Sequence, residues 1–346
     1  IISARRSVDR KGTKGLSMFL IPATKPDGTR NHFTMRRLKE KMGTRALASA
    51  EIDYHDAFAI PLGTNFNLML EKVIHHSRIA LATAVLGFAS RAYQFAHDFS
   101  LTRKAFGETV INYPLVQQSL AHTKADITTS IAGTFALIAL QDKLDTDESI
   151  DEDQRIFARL MSNIGKSVIA KRTVDNVHHC VDAIGGNAAI ENTSSMPRLL
   201  RDSVILENWE GTHNTLYMQV LRDTHRYQHD QAYLRVMEKR INLIDADYND
   251  QRQQAHNALE RLRTQIADLH NAPHDLQTLK IKGVVTQMAD IFYYVEVVNE
   301  GAHQCKEGNG KSKLQCAELY YQDFLSEHNP SLDAKYLALC KSICAE

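Results

Sequence analysis

The chain has 346 residues, enough for two or three domains and a sizeable core. Lysine plus arginine and aspartate plus glutamate each total 41, so no overall field draws the protein to nucleic acid or to an anionic membrane, and such a partner has to be met by a local patch. The five cysteines (Cys180, Cys305, Cys316, Cys340 and Cys344) are odd in number and form no CxxC pair, which argues against a disulfide framework or a zinc ribbon and fits a reducing intracellular compartment, and no apolar run approaches the length of a membrane span.

The first residues, IISARRSVDRKGTKGLSMFLIPA, show no initiator methionine and no signal-peptide layout, and read as starting inside a sheet of a longer chain whose targeting segment is out of view. Residues 1 to about 62 are strand-like: GLSMFLIPA is an apolar run ended by Pro22, PDGT is a turn, and ALASAEIDYHDAFAIP alternates enough for a strand or two. From Asn65 to Ser100 the apolar residues recur at helical spacing, predicting one long helix. Pro114 opens a second helix to about Asp142, and the acidic stretch 144–154 turns into a third, to about Asp182. GGNAAIENTSSMP (185–197) is a loop, followed by a helical run at MPRLLRD, the stretch ILENWEGT, and a helix to about Arg226. His225–Asp230 reads as a polar linker, beyond which helices are predicted at about 231–244, 248–270, 273–303, 311–327 and 332–344. The fold class is therefore α+β and mainly α: the C-terminal part of a β-domain (1–62), an antiparallel four-helix bundle (63–226) and a second helical bundle (231–346). From Asp230 onward, 13 basic residues face 17 acidic ones, a poor surface for nonspecific DNA binding.

Four local features carry chemistry: RKAFG (103–107), IGGN (184–187), MPRLLRD (196–202) and WEGTHN (209–214). Each alone has a bland reading. Gly-Gly after a helix is most often a C-cap, and an arginine with a phenylalanine three residues on is usually a helix-end charge over an aromatic. Their order and spacing, together with KGLSMFLIP, RRLKEKMGTRALASAEIDY (36–54) and SRIALATAVLGFASRAYQFAHDFSLTRKAFG (77–107), resemble the acyl-CoA dehydrogenase superfamily of flavoproteins, from its middle β-domain through its C-terminal helical domain. About 225 residues are covered, and the nine-residue step from Arg201 to Glu210 fits the family.

The resemblance implies an FAD enzyme that oxidises an acyl-CoA thioester at Cα–Cβ to the trans-2-enoyl-CoA. Glu210 falls on the glutamate that removes the α-proton, chemistry that needs a dry base and donors for the thioester oxygen. Thr212 and Asn214 match positions that reach FAD, Arg103 and Phe106 match residues that contact the FAD of a neighbouring subunit, and Gly185 and Gly186 match the loop over the adenylate side. Arg78 matches an arginine near the CoA portion. The implied partners are acyl-CoA, an electron-transfer flavoprotein or similar acceptor, and further copies of the chain in a dimer or tetramer. The implied setting is fatty-acid β-oxidation in the cytoplasm or a compartment like the mitochondrial matrix. Because the family's flavin also rests on β-domain strands that should precede Ile1, the 346 residues by themselves are expected to purify colourless.

The sequence also departs from the usual pattern at Pro114, Asp182 and Ala189, and at Ile74 and His75 before Arg78. With MPRL and Trp209, these changes resemble the AidB-type branch, which implies an alternative: a flavoprotein with a DNA-associated or protective binding role and little turnover. His75-His76 and His178-His179-Cys180 lack metal-ligand spacing, so no metal is expected. Glu207, one turn before Glu210, is an alternative base that reads as a surface charge. Cys340 and Cys344 share a helix face as packing residues, Arg36–Lys41 reads as a solvated strand edge, and Tyr293, Tyr294, Tyr320 and Tyr321 as packing of the second bundle.

Overall fold

A computed structural model describes residues 1–6, 11–63, 66–69, 73–147, 149–327 and 329–345. They fall into two compact units, Ile1–Ser77 and Arg78–Glu346. The first holds β1 (Ile2–Arg5), β2 (Leu16–Leu20), β3 (Phe33–Leu38), β4 (Ala50–Tyr54), β5 (Ile60–Gly63) and the short α1 (Phe66–Met69). Strands β1, β2 and β5 form one antiparallel sheet and β3–β4 an antiparallel pair. The predicted turn at PDGT is present, with Gly28 at φ 80° and Thr29 N donating to Asp27 Oδ1 over 2.9 Å. Arg37 pairs with Glu51 at 2.9 Å and Arg36 with Asp53 across β3–β4, so the basic cluster is partly neutralised on its own hairpin.

The second unit is helical. α2 (His75–Thr102) leads through the hairpin β6 (Lys104–Ala105) and β7 (Glu108–Thr109) to α3 (Pro114–Thr146), then α4 (Glu152–Ile184), α5 (Met196–Asn208) and α6 (His213–Tyr227). The predicted 65–100 helix is realised as α1 and α2; residues 64, 65 and 70–72 lie outside the described ones. Pro114 sits at the start of α3, where its missing N–H costs nothing, and the Asp151 carboxylate caps α4 by accepting from Asp153 N at 3.0 Å. Short connections make α2, α3 and α4 alternate in direction.

Beyond them come α7 (His229–Ile241), α8 (Asn249–Asn271), α9 (His274–Lys306), α10 (Ser312–Tyr320) with a π-turn at Tyr321–Leu325, and α11 (Ala334–Ala345). These helices lie close to the predicted spans. The helices expected as a second bundle at 231–346 lie in the same compact unit as α3–α6. One core cluster runs from Ile79 and Phe157 through Tyr233 and Leu262 to Phe292 and Tyr320. The cause is α9: a Cβ on Gly133 of α3 would overlap the Tyr293 ring, so the helices meet at a glycine. The stretch read as a polar linker is a helix junction, exposed from His225 to Gln228 and buried at His229 and Asp230, with Gln228 in the left-handed region and Asp230 1% exposed. His270 Nε2 lies 3.1 Å from Asp230 Oδ2, and His225 Nε2 lies 2.9 Å from Gln277 Oε1, which pairs the polar groups internally.

Candidate active site

ILENWEGTHNTL forms the end of α5, a tight turn and the start of α6. Trp209 leaves the helix with extended backbone, and Glu210 and Gly211 follow at φ 57° and 106°. Glycine tolerates such a φ freely. Glutamate does not, and a non-glycine residue there costs about 1–2 kcal/mol. Something has to hold Glu210 in place, and two buried cations do.

Arg78, near the start of α2, is 6% exposed. Its Nε donates to the Glu210 carbonyl at 3.1 Å, and its Nη1 donates to Asn163 Oδ1 at 2.5 Å and Gln219 Oε1 at 3.2 Å, tying α2, α4, α6 and the turn together. Burial pulls the guanidinium below its usual range and the Glu210 charge acts against that pull. Lys166, in the middle of α4, is fully buried, and its Nζ donates to the carbonyls of Glu207 and Gly211, both at 2.7 Å. Burial, then the neighbouring Arg78, bring its pKa down to about 8, with Glu207 and Glu210 opposing.

Glu207 is engaged elsewhere, with Oε1 2.6 Å from His213 Nε2, so of the two carboxylates Glu210 is the one on the strained turn. Thr212 and Asn214 are exposed at the N-terminus of α6, where no side chain caps the helix and the Thr212 hydroxyl meets Thr215 Oγ1 at 3.1 Å. Backbone N–H, hydroxyl and amide together offer neutral donors suited to carbonyl or phosphate oxygens of a cofactor such as FAD.

The remaining predicted residues are far from this turn. Arg78 of α2 bonds Asn163 of α4, and farther along both helices Ala92 and Ala96 share a core cluster with Val177 and Cys180. At 1.5 Å per residue, Arg103 lies about 38 Å along α2 from Arg78, and Gly185 about 28 Å along α4 from Lys166. Arg103, Phe106, Gly185 and Gly186 therefore gather at one end of the bundle, and Arg78, Glu210, Thr212 and Asn214 towards the other. Phe106 sits at the tip of the β6–β7 hairpin, 99% exposed at φ 54°, with Tyr113 Oη donating to the Ala105 carbonyl at 2.7 Å beneath it. Gly185, at φ 73°, is also the C-cap of α4, its N–H meeting the Val181 and Asp182 carbonyls.

A cavity of about 410 Å³ lined by His122, Arg172, His179, Tyr217 and Lys282 does not include Glu210. Its polar groups answer one another, Arg172 with Asp126, Asp290 and Tyr320, and His122 with Asp323, so it is a polar seam between helices. Among the described residues no group of three or more His, Cys, Asp or Glu could hold a metal, and no helix is long and apolar enough to cross a membrane. Sequence reasoning passed over Lys166, Asn163 and Gln219. The available signal was a lysine set between Ile164, Gly165, Ser167 and Val168 in an otherwise apolar helix face.

Residues 66–224 match the family model described as acyl-CoA dehydrogenase, C-terminal domain, and this part of the chain belongs to that family. The putative acyl-CoA dehydrogenase AidB of Escherichia coli is 32% identical over 211 residues, 60% of this chain and 38% of that protein. The crystal structure of Caenorhabditis elegans ACDH-11 in complex with C11-CoA superposes with a TM-score of 0.82 at 24% identity, over 96% of this chain and 57% of that one. An acyl-CoA dehydrogenase from Bacillus anthracis complexed with FAD superposes with a TM-score of 0.73 at 15% identity, over 92% of this chain and 65% of that one. The fold likeness thus extends through α7–α11, and the chain spans less than two thirds of each of these proteins.

Proposed function

We propose that the protein of which these residues are a part is an FAD-dependent acyl-CoA dehydrogenase in which Glu210 removes the α-proton of an acyl thioester. The observation that carries this reading is the Glu210 turn itself: a carboxylate on left-handed backbone, beside the uncapped start of α6, with Arg78 and Lys166 holding its carbonyls. Strain of this kind persists where surrounding groups over-determine it, and a base must be held within a fraction of an ångström of its proton. Glu210 accepts the α-proton as the Cα–Cβ double bond forms, while Thr212 and Asn214 orient the cofactor from the start of α6. FAD, when bound, supplies the acceptor for the β-hydride. Arg78 acts in this reading on the turn, since Nε and Nη1 are occupied by protein acceptors, and the thioester's CoA portion is left to other groups.

The separation of Arg103, Phe106, Gly185 and Gly186 from Glu210 supports a homo-oligomer, dimer or tetramer, in which this end of one chain meets the cofactor of another. The C11-CoA in complex with the worm protein and the FAD in complex with the Bacillus protein support the same ligand classes here. Electrons would leave to an electron-transfer flavoprotein or a similar acceptor. The test is an anaerobic titration of the FAD-loaded parent protein with acyl-CoAs of graded chain length: loss of the oxidised flavin absorption supports the reading, and a flavin that no thioester bleaches defeats it.

The similarity to AidB favours a second reading, a flavoprotein with a DNA-associated role. The paired Arg36 and Arg37 and the acidic C-terminal helices weigh against it. A gel shift at two salt concentrations decides, because phosphate binding must weaken steeply with salt.

A further inference from the structure

Lys166 is a charged side chain with no exposed surface and no carboxylate in hydrogen-bond contact. Its Nζ meets the carbonyls of Glu207 and Gly211, which flank Glu210 on either side. The charged groups that act on it are Arg78 from α2, Glu207 from α5 and Glu210 from the turn. A methionine would fill the same volume without the cost of burying an ammonium, so what the position uses is the pair of N–H donors. With a pKa of about 8, the side chain still carries its charge at neutral pH, and charge-assisted bonds to carbonyls are roughly twice as strong as neutral ones.

We propose that Lys166 is a positioning residue for Glu210: it draws the carbonyls before and after Glu210 onto one ammonium and so keeps the glutamate in its left-handed turn. The inference rests on the reading of Glu210 as the base. It divides the work between two helices. Arg78 of α2 holds the Glu210 carbonyl itself, and Lys166 of α4 holds the bracket around it. The 2.7 Å bond to the Gly211 carbonyl also fixes the start of α6, where Thr212 and Asn214 stand.

The sequence provides its own reporter, since Trp209 is the sole tryptophan and precedes Glu210. In the cofactor-free 346-residue chain, Lys166→Met and Lys166→Gln are compared with wild type by acrylamide quenching of Trp209 and by amide hydrogen exchange of the 208–213 segment. Methionine keeps the volume and loses both donors, whereas glutamine keeps N–H donors and loses the charge. Positioning through donors predicts the order Met, then Gln, then wild type, with exchange at 208–213 about tenfold faster or more in Lys166→Met and peptides of α8 and α9 unchanged. A role in packing alone predicts that Lys166→Gln loosens the turn more than Lys166→Met, with Lys166→Met close to wild type, and that result overturns the proposal. So does loosening of equal size throughout the helices. If Lys166→Met does not fold, Lys166→Gln alone decides: 208–213 exchange and quenching equal to wild type overturn the proposal. These readouts need neither flavin nor substrate. The expected turn behaviour combined with a flavin that acyl-CoA never reduces would keep Lys166 as the pin and remove Glu210 as the base.

Discussion

Arg78→Met takes the guanidinium out of the junction of α2, α4, α6 and the turn while keeping a chain of similar reach. Three acceptors lose a donor: Asn163 Oδ1, on a residue 3% exposed, Gln219 Oε1 and the Glu210 carbonyl, both only partly buried. A buried acceptor left unpaired costs about 1–3 kcal/mol, and a partly buried one can turn to water for roughly half of that, giving a loss near 4 kcal/mol. Against this stands relief from burying a charge, the same burial that pulls the guanidinium below its usual range. The net expectation is a clear destabilisation, smaller than that sum, in urea unfolding followed by far-UV circular dichroism. Arg78→Lys should recover less than half of it, because one ammonium cannot reach acceptors on two helices and a turn. A stability within about 0.5 kcal/mol of wild type for Arg78→Met would refute the idea that this arginine holds the turn.

Gly133→Ala places a methyl group in the Tyr293 ring, buried between α3 and α9, and should cost about 3 kcal/mol in urea unfolding; a neutral effect would show the two helices free to part. Glu210→Gly removes a side chain from φ 57° and should raise stability by about 1 kcal/mol while abolishing any base function, and a loss of stability would remove the strain argument. Lys166 gives a pH signature. Its pKa is about 8 in the fold against 10.5 ordinarily, so between those values the unfolded chain binds more protons and wild-type stability rises with pH relative to Lys166→Met. The full span corresponds to about 3 kcal/mol, and below pH 8, where both states hold the proton, the difference is flat. Parallel urea midpoints for the two proteins at pH 7.5 and 10 would contradict it.

Much of the helical framework was legible in the sequence. The spans of α7–α11 follow from apolar spacing bounded by Asn, Asp, Ala-Pro and Gly-Asn-Gly signals, which act locally. Pro114 likewise works within one turn. Features that depend on a partner far along the chain were not legible. His225–Asp230 looked like a linker because its residues are polar, yet their partners, His270 and Gln277, come from α8 and α9. Nothing local says that Gly133 will receive the Tyr293 ring, so the shared core of the two bundles was invisible. At the site, the WEGT motif pointed to Glu210, but a mid-helix lysine reads as solvated until α5 and the turn are laid over it. Arg78 was singled out by its place in the family pattern, whereas its use as a tie between helices was not legible.

The central claim is that Glu210 is the base, and the most direct test compares the FAD-loaded parent protein with its Glu210→Gln variant, anaerobically, against an acyl-CoA that reduces the wild type. The amide keeps the size and hydrogen-bonding reach of the side chain and cannot take a proton. Wild-type flavin should bleach within the mixing time of a manual titration, while in Glu210→Gln the rate should fall by at least about 10³-fold with thioester binding retained. Reduction at the wild-type rate in Glu210→Gln would contradict the assignment and send the search for the base elsewhere.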